Sequence, residues 1–153
     1  MPNDFLDDLQ KTTHFRPTWD QIWMEVVQTI EKRSTDTNHK VASIIVTHDN
    51  TQLLALGYNG DYAGGPNQRE SETPGESGFI HAEVNALIKL DYNNPKKKIM
   101  YVSMSPCKMC AKAIINAGIS EVIYREDYRE HSGIVLLQSA GIRVRRINNK
   151  AMD

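Results

Sequence analysis

Cysteine is nearly absent from this chain: only Cys107 and Cys110 occur in 153 residues. A secreted disulfide scaffold needs more cysteines, spread more widely, so that class is excluded and a reducing, cytoplasmic setting is the default expectation. No apolar run approaches the ~18–20 residues that span a bilayer, which argues against a membrane partner. The opening stretch, MPNDFLDDLQ, is acidic and lacks the apolar core of a signal peptide. Net charge is missing too: 18 Lys and Arg stand against 19 Asp and Glu, a formal charge of −1. A protein that holds a nucleic-acid backbone is ordinarily basic or has a basic face. The balance argues against such a polymer and leaves a small substrate open.

What is present is an ordinary globular composition, 40% apolar and 24% charged. The length suits one domain over residues 1–153, with 1–16 as an N-terminal extension. Phe5, Leu6 and Leu9 share one face of that extension, which reads either as a docking segment for a neighbouring subunit or as a tail.

Local patterns then divide the chain. Thr18 to Gln21, just after Pro17, forms a capping box, and Ile22, Trp23, Val26, Val27 and Ile30 give the helix after it a one-sided apolar stripe. Val41–Thr47 and Leu53–Tyr58 are β-rich runs joined as a hairpin. Both runs are nearly continuous in apolar residues, which predicts burial on both faces. Residues 61–78 hold four glycines, two prolines and four acidic residues. Nothing there packs a core, and a loop of that length is usually functional or disordered. A helix follows over Ile80–Leu90, then a strand over Ile99–Met104. Beyond it come a helix from Cys107 to Ala117, a strand from Glu121 to Tyr124, a helix from Ser132 to Ala140 and a strand from Ile142 to Ile147. Gly118 and Gly141 sit where helix C-terminal caps belong. Strand–helix alternation with short joints implies parallel pairing by right-handed crossovers, and the hairpin makes the sheet mixed. The expected fold class is α/β, a three-layer α/β/α sandwich around about five strands.

Cys107-x-x-Cys110 alone has three readings: a thioredoxin-like redox pair, half of a structural zinc site, or part of a catalytic one. A four-cysteine site is impossible with two cysteines. A closed Cys2His2 site lacks its second histidine at the right spacing, since His14, His39, His48, His81 and His131 show no H-x(3–5)-H pattern. His81-Ala82-Glu83 changes the balance, because it opens another helix upstream. His-x-Glu followed by Pro-Cys-x-x-Cys is the signature of zinc deaminases, and Pro106 completes it. Three protein ligands, His81, Cys107 and Cys110, leave the fourth tetrahedral position for water, which distinguishes catalytic from structural zinc. The cysteines lie one helical turn apart and so can face one metal. Glu83 is then the proton carrier: it takes a proton from water, delivers it to ring nitrogen N3 and protonates the leaving amine. On an ideal helix residues two apart point about 200° apart, so His81 and Glu83 can share a site only at a distorted helix end. The plain alternative for Glu83 is a carboxylate favoured near a helix N-terminus.

These residues, with Arg33-Ser34-Thr35-Asp36, Val41-Ala42-Ser43, Gly57-Tyr58-Asn59-Gly60, His81-Ala82-Glu83-Val84-Asn85-Ala86, Pro106-Cys107-Lys108-Met109-Cys110-Ala111 and Ala117-Gly118-Ile119, resemble the cytidine/deoxycytidylate deaminase family, and within it the dCMP deaminases. The likeness runs from about Thr18 to Ile147. It implies a cytidine deaminase-like fold and the conversion of a free cytosine nucleotide, dCMP, to dUMP and ammonia. It further implies that Asn59 contacts the sugar, that Arg33, Ser34 and Asp36 help form the nucleotide pocket, and that Tyr128 lies near the substrate. Members are often hexamers regulated by dCTP and dTTP, so a homo-oligomer is expected. They commonly carry extra cysteines between the GYNG and HAE segments, some holding a second, structural zinc. Residues 61–78 have none, so one Zn2+ per chain is expected, and regulation through that loop is put in doubt. Ser43 stands where alanine or glycine is more common.

Competing readings remain open at this level. Another deaminase of the superfamily, acting on tRNA adenosine, guanine or a riboflavin precursor, shares the zinc motif. A non-catalytic zinc- or nucleotide-binding protein has no use for Glu83. Arg143, Arg145, Arg146 and Lys150 form the nearest thing to a basic patch, but charges on a terminal strand more often protect an edge. Lys96, Lys97 and Lys98 read as a solvated turn.

Overall fold

The computed structural model describes residues 16–147, so the N-terminal apolar face and Lys150 lie outside the described residues. In chain order the elements are α1 (Trp19–Glu31), β1 (Ala42–Thr47), β2 (Leu53–Tyr58), α2 (Ala82–Ile88), β3 (Lys98–Met104), α3 (Lys108–Asn116), β4 (Glu121–Glu126), α4 (Ser132–Ser139) and β5 (Arg143–Arg146). The strands form one sheet in the order β2-β1-β3-β4-β5. β1 is antiparallel to β2 and β3, whereas β3, β4 and β5 run parallel. The sheet is mixed, as the hairpin and crossovers required.

Strand alternation sorts the core into two layers. Ala55, Ile45, Met100, Val122 and Val144 lie in register across the sheet and face α2, α3 and α4. Ile44, Tyr101 and Ile123 form the opposite row, which Met24 and Val27 of α1 cover. One helix on one face and three on the other make the three layers. Met24, outside the apolar stripe read from sequence, is fully buried beside Val27.

The local signals act as expected. The Thr18 side chain accepts from the Gln21 amide while Gln21 returns a bond to the Thr18 amide. Gly118 and Gly141 adopt φ of 77° and 84°, left-handed values that end α3 and α4 at little steric cost.

Two sequence expectations need correction. β1 is buried throughout, but β2 is not: Leu53 and Leu56 are 38% and 37% exposed. β2 is an edge strand, and α1 seats mainly on β1 and β3. Lys98 is no solvated turn residue either. It opens β3 and is buried, with its ammonium capped by the carbonyls of Asn94 and Lys96 at 2.7 and 2.9 Å. The arginines of β5 are spent on ion pairs: Arg145 holds Asp20 and Glu121, Arg143 approaches Glu121, and Arg146 holds Asp127. On an edge strand they tie layers together rather than offer a basic surface.

Candidate active site

The parallel strands β3 and β4 deliver their C-terminal ends to one side of the sheet, where ligands bind in open α/β folds. Ser105 to Cys107 follow β3, and Asp127 to Arg129 follow β4. There the Tyr128 amide donates to Ser105 Oγ at 2.7 Å and joins the two loops. α2 completes the site because Gly57 has no side chain: a Cβ on it would lie 2.5 Å from both the Ala82 carbonyl and the Ala86 amide. Gly133, in the first turn of α4, lies equally close to the backbone of Pro106 and Cys107. Two glycines thus let two helices pack against bare backbone and set where the helix starts fall.

Those starts carry the chemistry. Cys107 is the N-cap of α3, with extended backbone, and its sulfur accepts from the Cys110 amide at 3.4 Å. His81 is the N-cap of α2, also extended at φ −66° and ψ 150°. This resolves the angular difficulty over Glu83: His81 stands outside the helix, so the ideal helical angle between residues two apart does not apply. Helix α2 is accordingly shorter than the Ile80–Leu90 span expected.

His81 Nδ1 lies 3.2 Å from Cys110 Sγ and 3.5 Å from Cys107 Sγ, and all three donor atoms fall within 4.8 Å of one another. Tetrahedral zinc, with bonds of about 2.3 Å to sulfur and 2.0 Å to nitrogen, sets nitrogen and sulfur roughly 3.6 Å apart. The donor set fits the metal in type and spacing. The hydrogen bond from the Cys110 thiol holds Cys107 down to about 4, against burial and with help from His81. That same bond, with burial, pushes Cys110 up. One sulfur ionises readily, and a dication supplies the charge that ionises the second. Hydrogen bonding to Cys107 raises His81.

Glu83 is 5% exposed, and its carboxylate lies 3.7 Å from Cys110 Sγ. Burial raises its pKa, because the charged carboxylate loses solvation there. A carboxylate merely favoured by a helix N-terminus would face water. This one faces Cys110, one of the three residues that could hold a metal.

Above this floor is a cavity of about 520 Å³. His81, Glu83 and Cys107 line it with Asp36, Asn59 and Tyr128, so six residues singled out from the sequence converge there. Ser34 and Arg33 do not line it. Ser34 is buried behind the wall, donating to Asn59 Oδ1 at 2.7 Å, and Arg33 is exposed. Asn59 has its amide fully engaged: the nitrogen donates to Asp36 and to the His39 carbonyl, and the oxygen accepts from Ser34 and the Val41 amide. Contact with a sugar would require one of these partners to be exchanged.

The sequence reading missed Arg69, His39, Phe79, Asp127 and Arg129, all of which line the cavity. Arg69 comes from the 61–78 loop, is 10% exposed, and pairs with Asp36 at 2.8 Å. A lone arginine in a stretch rich in glycine, proline and acid was the one available signal.

Comparison with known proteins agrees with this geometry. Residues 17–126 match the family described as the cytidine and deoxycytidylate deaminase zinc-binding region. A deoxycytidylate deaminase of Schizosaccharomyces pombe is 31% identical over 153 residues, covering 91% of this chain and 47% of the relative. A human deoxycytidylate deaminase is 36% identical over 117 residues, covering 71% and 65%. The chain therefore spans about half to two thirds of these relatives. The crystal structure of dCMP deaminase from the cyanophage S-TIM5, in complex with dCMP and dUMP, superposes with a TM-score of 0.74 at 30% identity, over 88% of this chain and 100% of that one. With its zinc-binding triad formed as the motif requires and the family pattern matched across most of its length, the chain belongs to the cytidine and deoxycytidylate deaminase family.

Proposed function

We propose that this protein hydrolyses a free cytosine nucleotide, converting dCMP to dUMP and ammonia. The observation that carries the reading is the buried Glu83 carboxylate directed at the His81–Cys107–Cys110 triad on the floor of a cavity of nucleotide size. His81, Cys107 and Cys110 would hold the zinc, which would supply Lewis acidity for activating water. Glu83 would take a proton from the attacking water and pass it to N3 of the base as the water oxygen adds to C4. It would then carry the proton of the new C4 hydroxyl to the exocyclic amine, so that the C4–N bond breaks as the C4 carbonyl forms and ammonia leaves. Asp36 and Asn59, with Ser34 bonded behind Asn59, would form the wall that receives the nucleoside, and Tyr128 lines the same cavity. Arg33, exposed and outside the cavity wall, has its proposed role at the rim.

We further propose one zinc per chain, a homo-oligomer and a cytoplasmic setting. The free thiols of Cys107 and Cys110 support the last, and the exposed Ile88, Met109 and Val135 support the second. Metal-to-protein ratio and light-scattering mass test the first two. The function itself is tested by loss of cytosine absorbance across cytidine, deoxycytidine, dCMP, dCTP and a tRNA anticodon loop. Turnover of dCMP is expected. Activity only on adenine or guanine overturns the proposal.

A further inference from the structure

We propose that Arg69 is a positioning residue: through Asp36 it holds the Asn59 wall in place and latches the 61–78 loop across the cavity, so that a nucleotide meets a pocket already built. This rests on the deaminase reading above and names what keeps that pocket ready.

Asp36 is where three segments meet. Its Oδ1 accepts from Arg69 Nη1 and from the Asn38 amide, both at 2.8 Å, and its Oδ2 accepts from Asn59 Nδ2 at 3.2 Å. The carboxylate thus ties its own turn to the Gly57–Gly60 segment and to a loop 33 positions further on. The ion pair lies largely out of water, with side-chain exposures of 6% for Asp36 and 10% for Arg69. A buried pair of this kind contributes a fixed arrangement more than net stability, whereas either partner alone is costly to leave uncompensated. Arg69 Nε is moreover buried with no hydrogen-bond partner among the described residues, and the Glu72 carboxylate at 3.7 Å belongs to a side chain that is 82% exposed. The guanidinium is held where one of its donors goes unused, a placement that stability alone would not select.

The rest of the loop is bonded to itself. Asp61 accepts from the amides of Tyr62 and Asn67, and the Glu70 amide donates to the Ser77 carbonyl at 2.8 Å. Gly78, at a left-handed φ of 76°, leaves the space that the Glu70 carboxyl group fills. Among the described residues, Arg69 to Asp36 is the one side-chain hydrogen bond from residues 61–79 to any other part of the chain. Pro74, Gly75, Ser77 and Phe79, which follow Arg69, line the cavity together with Asp36 and Asn59. One latch therefore fixes a whole wall. Without it, His81, Glu83, Cys107 and Cys110 keep their seats at the starts of α2 and α3. Substrate binding then bears the cost of ordering the wall, and the proton transfers at Glu83 do not.

The test is steady-state deamination of dCMP by the zinc-loaded protein, for wild type, R69Q and R69K. Beside it, each protein is cut with a glutamate-specific protease, for which Glu70, Glu72 and Glu76 lie in the loop. R69Q is expected to raise KM about tenfold or more with kcat changed less than about threefold, from the loss of a charge-assisted hydrogen bond that acts on binding alone. Its loop should be cut faster than that of wild type at an unchanged zinc-to-protein ratio. R69K keeps the charge but not the planar fork, and should fall between. An unchanged KM in R69Q, a loss confined to kcat, or loop cleavage at the wild-type rate overturns the positioning role and leaves the deaminase reading standing. If R69Q does not fold, R69K decides by the same readouts: a raised KM with faster loop cleavage supports the latch, and a wild-type value for either overturns it. Failure of wild type to turn over dCMP is instead a failure of the deaminase reading, and this proposal falls with it.

Discussion

The two faces of the sheet treat charge in opposite ways. On the α1 face most polar groups pair with one another, although Arg125 Nη1 is buried without a partner among the described residues. Tyr101 donates to Asp20 at 2.6 Å, Arg145 spans Asp20 and Glu121 at 2.9 and 2.7 Å, and Ser103 and Arg125 both reach Glu31. On the face of α2, α3 and α4, at the ends of β3 and β4, comparable groups are left open. Glu83 meets the Cys110 sulfur and a backbone amide but no cationic side chain in hydrogen-bond reach, and Arg129 has a ring and a loop but no carboxylate among the described residues. Charges matched within the protein anchor a helix across a sheet. Charges left unmatched at a cavity are held ready for something that arrives, a state the fold tolerates because the closed face supplies the anchoring.

Removing an open group should abolish function without loosening the fold. Glu83→Gln is expected to lower kcat by about 10²–10⁴-fold, the range for losing a general acid–base, with zinc content by atomic absorption unchanged. A fully active variant would end the proton-carrier role.

Disturbing the seat of the open groups should cost both stability and metal. Gly133→Ala pushes a methyl group into the backbone of Pro106 and Cys107. A loss of about 1–3 kcal/mol in urea denaturation and a lowered zinc-to-protein ratio are expected.

Breaking a closed circuit should do the reverse, touching stability and sparing turnover. Burial tends to raise the pKa of Asp20, but hydrogen bonds from Arg145 and Tyr101 prevail and lower it. A carboxylate held below its unfolded value of about 3.9 stabilises the fold above that pH and loses the contribution as pH falls through the folded value. Asp20→Asn should therefore be less stable than wild type at neutrality, by about 1 kcal/mol given its partial exposure. The difference should shrink below about pH 4. Urea midpoints at neutral and acid pH measure it. The smallest effect is expected at Ser43, whose hydroxyl is fully buried and has no hydrogen-bond partner. Ser43→Ala should leave stability unchanged or raise it by up to about 1 kcal/mol, because an unsatisfied group is removed.

Much of the fold was legible beforehand because its signals are local. The Thr18 cap, the glycines after α3 and α4 and the strand–helix alternation each act over a few residues, and the structure repeats them. Edge exposure of β2 and burial of Lys98 were not legible. Both depend on which elements cover a strand, and no short pattern encodes that.

The functional site divides along the same line. His81, Glu83, Cys107 and Cys110 could be named from sequence because metal chemistry restricts the donors to few residue types at fixed spacing, next to helix starts. The sequence by itself thus picked out the possible zinc site and the carboxylate proposed to serve it. Only the tertiary structure decided how His81 and Glu83 share one cavity, since that turns on the extended backbone of an N-cap. It also decided that Asn59 is fully engaged and that Arg69 reaches Asp36 across 33 positions. Such pairings join residues far apart in the chain, so they exist only once the sheet has brought the loops together.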